Sequence, residues 1–297
     1  MAAIQPAAAP APQGVTMREV RSGSQFRRNL LRNRRTLTGI VIVLLVGALA
    51  ILAPVIGRYD PTYGDFSQML AAPSRAHIFG TDNFGRDVWA RLILGYRISM
   101  TVAIASVAAA LALGVPLGLL AGYFGNKLDN LIMRPLDLLL AFPPILLAIT
   151  LIAIFGTGTR VTILALAIIY VPIMARILRS SVVTVSSEEY IQAARSIGAS
   201  SSRIMLKHVL PNSLGPLVVQ ASISLGIAIL IEAALSFIGL GTQPPNPSLG
   251  AMLAEGKDFM SEAPWSVVFP GLAIMLAVLG FNLIGDGLRD VIASERR

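Results

Sequence analysis

Three charged residues lie close together in the stretch GTDNFGRD, where Asp82, Arg86 and Asp87 fall within one turn-like sequence. A pair of carboxylates at such spacing can act as general acid and general base in catalysis. Nothing else in the chain completes an active site around this pair. We therefore expect these charges to form ion pairs that stabilise a turn.

Two other acidic residues lie in otherwise apolar runs, Asp137 in MRPLDLLLAFPP and Glu232 in ILIEAALSF. A charged side chain inside a membrane is costly, so each of them is a functional hypothesis. Asp137 is expected either to line a polar pathway or to pair with Arg134, three residues earlier on the same helix face. Glu232 is expected either to line such a pathway or to bond to a neighbouring helix.

Several patterns of catalytic and metal-binding residues are missing from the chain. It has no cysteine, which excludes disulfides, thiolate metal sites and cysteine nucleophiles. His77 and His208 are its only histidines and lie far apart in sequence, so a multi-histidine metal site is excluded. The phosphate-binding pattern G-x-x-x-x-G-K-[ST] is absent, as are H-E-x-x-H and G-x-S-x-G. The sequence predicts a chain that is not an enzyme and binds no metal or cofactor of its own.

The composition is that of a membrane protein. Of the 297 residues, 55% are hydrophobic and 13% are charged, whereas about 25% are charged in soluble domains. The mean hydropathy is +0.71, and the apolar residues come in blocks long enough to cross a bilayer. The formal charge of +8 is therefore interpreted as basic residues on the cytoplasmic side, and no nucleic-acid partner is predicted.

These blocks predict an all-α polytopic membrane protein with six transmembrane helices of about 20 residues each. Residues 1–36 are expected to form a disordered Ala/Pro-rich stretch followed by a basic cytoplasmic arm. The apolar run after this arm is too long for a signal-peptide core, so we predict an uncleaved first span. The predicted spans are 37–56, 98–122, 131–155, 161–183, 214–238 and 267–288.

The distribution of basic residues predicts that both termini lie in the cytoplasm. With this orientation the cytoplasmic segments together with the adjoining span ends, residues 1–36, 123–135, 175–213 and 289–297, contain 17 of the 24 Lys and Arg residues, in agreement with the positive-inside rule. Residues 57–96 and 239–266 then form extracytoplasmic loops, and residues 289–297 form a cytoplasmic tail. The polar stretch 186–212 is also placed in the cytoplasm, between the fourth and fifth spans.

Residues 186–212 are helix-prone although they lie between two spans. Ser186 and Glu189 have the spacing of a capping box, which predicts a helix start, and Gly198 interrupts that helix. A second segment, SSRIMLKHVL, is expected to end at Pro211, because proline has no N–H to donate. Two interpretations are open: an amphipathic loop on the lipid headgroups, or a docking element for a cytoplasmic partner.

The same stretch resembles the Glu-Ala-Ala signature of the inner-membrane subunits of ABC importers. The signature is matched by Gln192-Ala193-Ala194, then Gly198, then His208-Val209-Leu210-Pro211. Gln192 replaces the signature glutamate, so Glu188 or Glu189 is the candidate for the acidic contact. His208 replaces an isoleucine, a form common in the dipeptide/oligopeptide branch.

Three further stretches resemble the C-type permease subunit of the dipeptide/oligopeptide (peptide/nickel) ABC importer family. They are HIFGTDNFGRDVWARLILGYRIS, GLGTQPPNPSLGAML and APWSVVFPGLAIMLAVLGFNLIGDGLRD. Together with the signature they extend over residues 77–290, in the order and spacing of the family.

The resemblance implies a type I ABC importer permease fold in a bacterial plasma (inner) membrane. It implies that 186–212 is a coupling segment whose contact residues seat in a groove on an ATPase subunit. Those residues would be Glu188, Glu189, Gln192, Ala193, Ala194, Gly198, His208, Leu210 and Pro211. The implied partners are a homologous B-type permease subunit, one or two cytoplasmic P-loop ATPases that bind ATP and Mg²⁺, an extracytoplasmic substrate-binding protein and membrane lipid.

Within the family the substrates include dipeptides, oligopeptides, nickel and glutathione, and a dipeptide or oligopeptide is the expectation here. A secondary transporter is the first alternative, although the chain shows no convincing internal repeat of the kind such proteins have. An intramembrane enzyme is the second alternative, and it lacks a nucleophile or metal constellation. Gly114, Gly118 and Gly122 are predicted to form a close-packing face in the second span.

Overall fold

The computed structural model describes residues 33–295, and over this range the chain is helical with one isolated bridge between Thr81 and Asp87. The predicted arm over residues 1–32 lies outside the described range, as do residues 296–297. Ten α-helices are described: α1 (Arg34–Ile56), α2 (Val88–Phe124), α3 (Asn126–Leu140), α4 (Pro144–Phe155), α5 (Thr159–Ser186), α6 (Glu189–Ser196), α7 (Ser201–Ile204), α8 (Leu210–Phe237), α9 (Leu249–Gly256) and α10 (Trp265–Glu295).

Five helices are long and apolar enough to cross a membrane, and a bent pair brings the number to six. The five are α1, α2, α5, the continuous helix from α7 to α8, and α10. Three of them extend past the predicted spans: α2 begins at Val88 instead of residue 98, α8 begins at Leu210, and α10 continues to Glu295. The predicted tail over residues 289–295 is therefore helical.

The predicted third span consists of two helices, α3 and α4, which meet at an angle of 93°. Pro143 and Pro144 lie at the bend. Because neither proline has an N–H group, the carbonyls of Leu139 and Leu140 receive no helical hydrogen bond from residues 143 and 144, and α3 ends at Leu140. A single continuous span over 131–155 was therefore the wrong description of this region.

The centre of the bundle is the contact between α2 and α5. A Cβ atom on Gly114 would lie 2.8 Å from Cβ of Met174, and one on Gly122 would lie 2.8 Å from the carbonyl oxygen of Arg179. A Cβ atom on Gly118 would overlap the backbone of Ala175. The absence of side chains at these glycines lets the helices approach closely, as predicted for this face.

The long connection 57–87 folds onto the end of the bundle. The Asp87 carboxylate caps α2 by accepting the backbone N–H of Ala90 at 2.7 Å, which explains why this helix begins ten residues before the predicted span. Trp265, at the start of α10, donates its indole N–H to the carbonyl of Thr81 at 3.0 Å. These bonds tie the connection to both α2 and α10.

Candidate coupling surface

The coupling segment begins at α6, whose first residue is Glu189. Ser186 is the last residue of α5, and its buried hydroxyl has no hydrogen-bond partner among the described residues. The predicted capping box is therefore wrong, since Glu188 occupies the N-cap position without a side-chain cap. The predicted helix start nevertheless lies close to the observed one.

Buried apolar side chains fix the segment to the bundle. Ile191 of α6, Ile204 of α7 and Val209 of the following turn are all completely or almost completely buried. The guanidinium of Arg195 lies 5.2 Å from the ring centre of Tyr123 near the end of α2, a cation–π distance. The segment is consequently a packed element, with one face inward and one face free.

A turn at Gly198 separates α6 from α7. Gly198 has a φ angle of +79°, and a Cβ built on it would have no neighbour within 4 Å. L-residues rarely adopt this conformation, which glycine adopts without strain. The glycine is thus required by the backbone angle of the turn, while the space around it is open.

The chain continues into α8 without the break predicted at Pro211. Residues Met205–Val209 form a π-helical turn, and the helix from Ser201 to Phe237 is continuous over 37 residues. Pro211 follows directly on this π turn, and a π turn is one of the places where a helix accommodates an interrupted ladder of hydrogen bonds. The π turn therefore takes the place of the predicted proline break.

The free face of α6 is acidic, small and partly apolar. Glu188, Glu189, Gln192 and Ala193 are exposed, and Ala194 is half-buried beside them. The Gln192 side chain donates to the carbonyl of Ser187 at 3.2 Å. In the described structure Glu188 and Glu189 form no salt bridge, so both carboxylates are available to a partner.

Two exposed residues on this surface were not identified from the sequence. Ile197 is 85% exposed and Tyr190 is 47% exposed, although large apolar side chains usually favour burial. Partial burial raises the pKa of the Tyr190 phenol, and the neighbouring Glu188 carboxylate adds to this effect. The helical register gave a signal for Ile197, because it lies six positions after the inward-facing Ile191 and therefore cannot share its face. Tyr190, directly before Ile191, also lies on a different face of the helix.

The C-terminal half of the signature is less exposed. His208 and Leu210 are half-buried, whereas Pro211 is exposed. The His208 carbonyl accepts the side-chain N–H of Asn212 at 2.6 Å. These residues therefore support the junction with α8 while α6 supplies most of the free surface.

Asp137 pairs with a different arginine from the one predicted. Its carboxylate contacts the guanidinium of Arg176 on α5, with side chains 51% and 54% exposed, and the predicted pair with Arg134 does not form. One helical turn along α5, the Nε of Arg179 lies 2.5 Å from Oδ1 of Asp129. These two arginines join α5 to α3.

Glu232 is completely buried, in the outer half of α8. Its carboxylate accepts the Ser99 hydroxyl at 2.5 Å and the Ser236 hydroxyl at 2.8 Å. Because both oxygens are bonded within the protein, this geometry favours the interpretation of Glu232 as a helix–helix contact. It connects α8 to α2.

Two of the three charges of GTDNFGRD, Asp82 and Arg86, belong to a larger ion network. Arg86 contacts Asp82 at 2.7 Å and Glu255 of α9 at 2.5 Å. Arg91 is almost completely buried between the same two acids, at 3.3 Å and 2.8 Å. Asp87 lies apart from this network and contacts His77 at 2.8 Å. The charges form a structural network, as predicted for the turn.

Within residues 33–295 no three His, Asp or Glu side chains are grouped so that they could hold a metal ion. The candidate site is the exposed surface formed by α6 and the turns at its two ends.

The sequence of the chain matches two family profiles. Residues 114–297 match the inner membrane component of binding-protein-dependent transport systems. Residues 23–73 match the N-terminal transmembrane domain of oligopeptide transport permease C. The chain belongs to this permease family. It is a multi-pass inner-membrane protein of the C type, as its motifs had predicted.

Curated relatives match the permease over most of their length. A dipeptide transport system permease protein of Alkalihalophilus pseudofirmus is 46% identical over 89% of this chain and 87% of that protein. A di/tripeptide permease protein of Pseudomonas aeruginosa is 43% identical over 90% of both chains. A glutathione transport system permease protein of Pectobacterium atrosepticum is 44% identical over 90% of this chain and 89% of that protein.

The fold of the permease is also found in a solved structure. An inward-facing methionine ABC transporter contains a chain that superposes with a TM-score of 0.53 at 22% identity. The match covers 68% of the permease and 95% of that chain. It shows that the helical core has the fold of an ABC importer permease.

Proposed function

We propose that the permease forms half of the membrane pathway of an ATP-driven importer for dipeptides or oligopeptides. The observation that carries this proposal is the exposed, signature-bearing face of α6, which is anchored to the bundle by Ile191 and Arg195. A transport subunit without a phosphate-binding loop needs such a surface to receive energy from a separate ATPase. The names of the dipeptide and di/tripeptide relatives support the substrate class.

The proposed assembly contains this chain, a homologous B-type permease, one or two ATPase subunits that bind ATP and Mg²⁺, and a substrate-binding protein. Both termini and α6 lie in the cytoplasm, and residues 57–87 and 239–264 face the binding protein. Closure of the ATPases on ATP pulls the coupling segments together and opens the pathway outward. Binding of the substrate and binding of the nucleotide then both shift the equilibrium between two conformations of the same pathway.

In this assembly, Glu188 and Glu189 supply the acidic contact that Gln192 cannot. Ala193 and Ala194 permit close approach, and Ile197 enters an apolar part of the ATPase groove. Gly198 sets the angle between α6 and α7. His208, Leu210 and Pro211 transmit the movement into α8, since the helix from α7 to α8 is continuous.

The pair of Asp137 and Arg176 is proposed to face the pathway. Both side chains are about half exposed, and charged groups exposed at this depth would be costly against lipid. The bend between α3 and α4 lies close by in sequence, and irregular backbone at membrane depth is tolerated where it lines a cavity. Arg134 is exposed on the same helix as Asp137.

Glutathione is the alternative substrate, because a glutathione permease protein is nearly as similar to the chain as the dipeptide relative. Uptake of labelled dialanine and labelled glutathione by proteoliposomes containing the full assembly distinguishes the two. Each requires its own binding protein, so both binding proteins are supplied in separate reactions.

The test of the function is co-purification of the tagged chain in mild detergent, followed by an ATPase assay. We expect a second membrane subunit and P-loop ATPases to accompany the chain. Ala193→Glu, on the free face, should release the ATPases and abolish uptake. Asn130→Glu, an exposed change on α3 outside the segment, serves as the matched control.

Normal uptake by Ala193→Glu at normal membrane abundance contradicts the coupling role. Solute uptake by the chain alone in ATP-free vesicles, driven by an ion gradient, contradicts the ABC importer proposal and supports a secondary transporter.

A further inference from the structure

An apolar cavity of about 420 Å³ lies between α1, α2 and α10, on the side of the bundle that carries the 57–87 connection. Its wall includes Val46 of α1, Tyr96 of α2 and Ala273 of α10. Along α10 it extends from Phe269 to Leu276, which is a length of about 10 Å at the helical rise.

The cavity lies next to the region where α1 and α10 pack closely. A Cβ on Gly39 would lie 2.8 Å from the Gly280 carbonyl oxygen, and one on Gly287 would overlap Thr36. Further along the two helices, Val46 and Leu49 of α1 and Phe269 and Leu272 of α10 line the cavity.

The wall offers almost no hydrogen-bonding group to an occupant. Its residues are apolar or aromatic, and the Tyr96 hydroxyl is already used, since it donates to the Ala273 carbonyl at 2.5 Å. Apolar cavities of this kind stay free of water and bind apolar molecules. Water is therefore excluded as the regular occupant.

The surroundings of the opening select among apolar occupants. The opening is flanked by Leu45 and Leu272, which are 62% and 44% exposed on helices that span the membrane. The cavity is consequently open to the hydrocarbon of the bilayer.

One end of the cavity is suited to the polar end of a lipid. Phe79 stacks on Phe269 with centroids 3.9 Å apart and meets Trp89 edge-on at 5.1 Å. Trp89 is the second residue of α2, and its indole N–H has no acceptor within the part of the chain that the structure describes. Tryptophan at a membrane boundary commonly places its ring at headgroup level.

We infer that this cavity is a binding site for one acyl chain of a membrane phospholipid, with the Trp89 indole N–H directed at the ester or headgroup region. The bound chain fills the space between the outer halves of α1 and α10. It thereby adds contacts between the N-terminal helix and the core. This inference does not depend on the transported substrate.

Native mass spectrometry of the full chain released from nanodiscs of dioleoyl phosphatidylglycerol tests the site. The wild-type chain should retain one phospholipid under activation that removes all others. Ala273→Phe fills the cavity from α10 and should lower the retained fraction about tenfold, as expected for overpacking. Leu279→Phe changes an exposed residue of the same helix that does not line the cavity, and it should retain the lipid.

Val46→Phe fills the same space from α1, and it replaces Ala273→Phe in this experiment if that variant does not fold. Equal retention by a folded cavity-filling variant and by Leu279→Phe overturns the inference, as does a wild-type chain without bound phospholipid. Retention by the isolated chain that disappears in the purified assembly also overturns it, because a partner subunit then covers the opening.

A second measurement uses the fluorescence of Trp89 in nanodiscs with brominated acyl chains. Bromine quenches indole emission only at close range, so the quenched component should be lost in Trp89→Phe and reduced in Ala273→Phe. A quenched component that Ala273→Phe leaves unchanged places lipid outside the cavity and overturns the inference.

Discussion

Gly198 is a residue of the proposed coupling segment whose backbone conformation favours glycine. Its φ angle of +79° disfavours residues that have a Cβ atom, whereas the space around it is open. Gly198→Val should therefore distort the turn between α6 and α7, at a cost of about 1–2 kcal/mol for the left-handed conformation. We expect reduced ATPase binding and reduced uptake, measured by co-purification and by proteoliposome transport.

Gly198→Asn is the matched control, because asparagine tolerates the left-handed region better than other residues with a side chain. It should retain most of the uptake. If the asparagine and valine variants lose uptake equally, the requirement is for the absence of a side chain at the interface and not for the backbone angle.

Glu232 is the second residue whose environment makes a specific prediction. Glu232→Leu removes the acceptor for the Ser99 and Ser236 hydroxyls and should lower the free energy of unfolding by about 1–3 kcal/mol. Glu232→Gln retains one acceptor oxygen and should lose less. Thermal unfolding in detergent measures both effects.

Transport by the folded Glu232→Gln complex separates the two interpretations of this residue. Because Glu232 is bonded inside the bundle, uptake should remain near the wild-type rate. Complete loss of uptake with unchanged stability would contradict the structural interpretation and restore a pathway role.

At the scale of the elements, the α2–α5 contact depends on the absence of a side chain at Gly118. Gly118→Ala places a methyl group against the backbone of Ala175, so the helices must separate. We expect a loss of about 1–3 kcal/mol, the usual range for overpacking, measured by chemical or thermal unfolding in detergent.

Gly271→Ala provides the control for Gly118→Ala, since both glycines lie inside long helices but Gly271 has open space around it. It should be neutral or slightly stabilising, because alanine favours helix more than glycine does. A similar loss of stability in both variants would contradict close packing at Gly118 as the cause of the loss.

Several features of the helices could be predicted from the sequence. Apolar runs located the spans, and the Gly114-Gly118-Gly122 spacing predicted a packed face correctly, because both signals are local in sequence. The helix starts were less accurate: Asp87 extends α2 beyond its apolar run, and α3 bends from α4 where two prolines interrupt the ladder. Hydropathy alone predicts neither the capping of α2 by the Asp87 carboxylate nor the direction of the bend between α3 and α4.

For the candidate site, the signature located the helical segment α6–α7 but not all of its exposed side chains. Ile197 and Tyr190 were missed because their exposure depends on how Ile191 and Ile204 anchor the segment. The partner of Asp137 was also missed, since Arg176 is 39 residues away in sequence and Arg134 is only three. Long-range pairs of this kind require the packing of α3 on α5.

At the scale of the whole molecule, the proposal requires two polar surfaces on opposite sides of the membrane. The coupling segment 186–212 must face the ATPases, while the Arg86–Glu255 network and the loops it joins must face the binding protein. The ion network fixes α9 to the start of α2, so the extracytoplasmic surface is held to the same helix that contacts Arg195 near its other end. Movement of α6 can therefore reach the far side through the rigid body of α2.

The absence of cysteine from the chain makes this arrangement directly measurable. Ser202→Cys lies in the coupling segment and Asn246→Cys lies in the 239–264 connection, and both positions are exposed. In intact cells a membrane-impermeant maleimide should label Asn246→Cys and not Ser202→Cys, whereas inverted vesicles should show the reverse. Ser224→Cys, at a completely buried position, should react only after denaturation. Labelling of both exposed positions from the same side would mean that α8 does not cross the membrane. The opposite pattern, with Ser202→Cys labelled in intact cells and Asn246→Cys labelled only in inverted vesicles, would contradict the six-span arrangement with a cytoplasmic N-terminus, as expected if the pair α3–α4 were re-entrant.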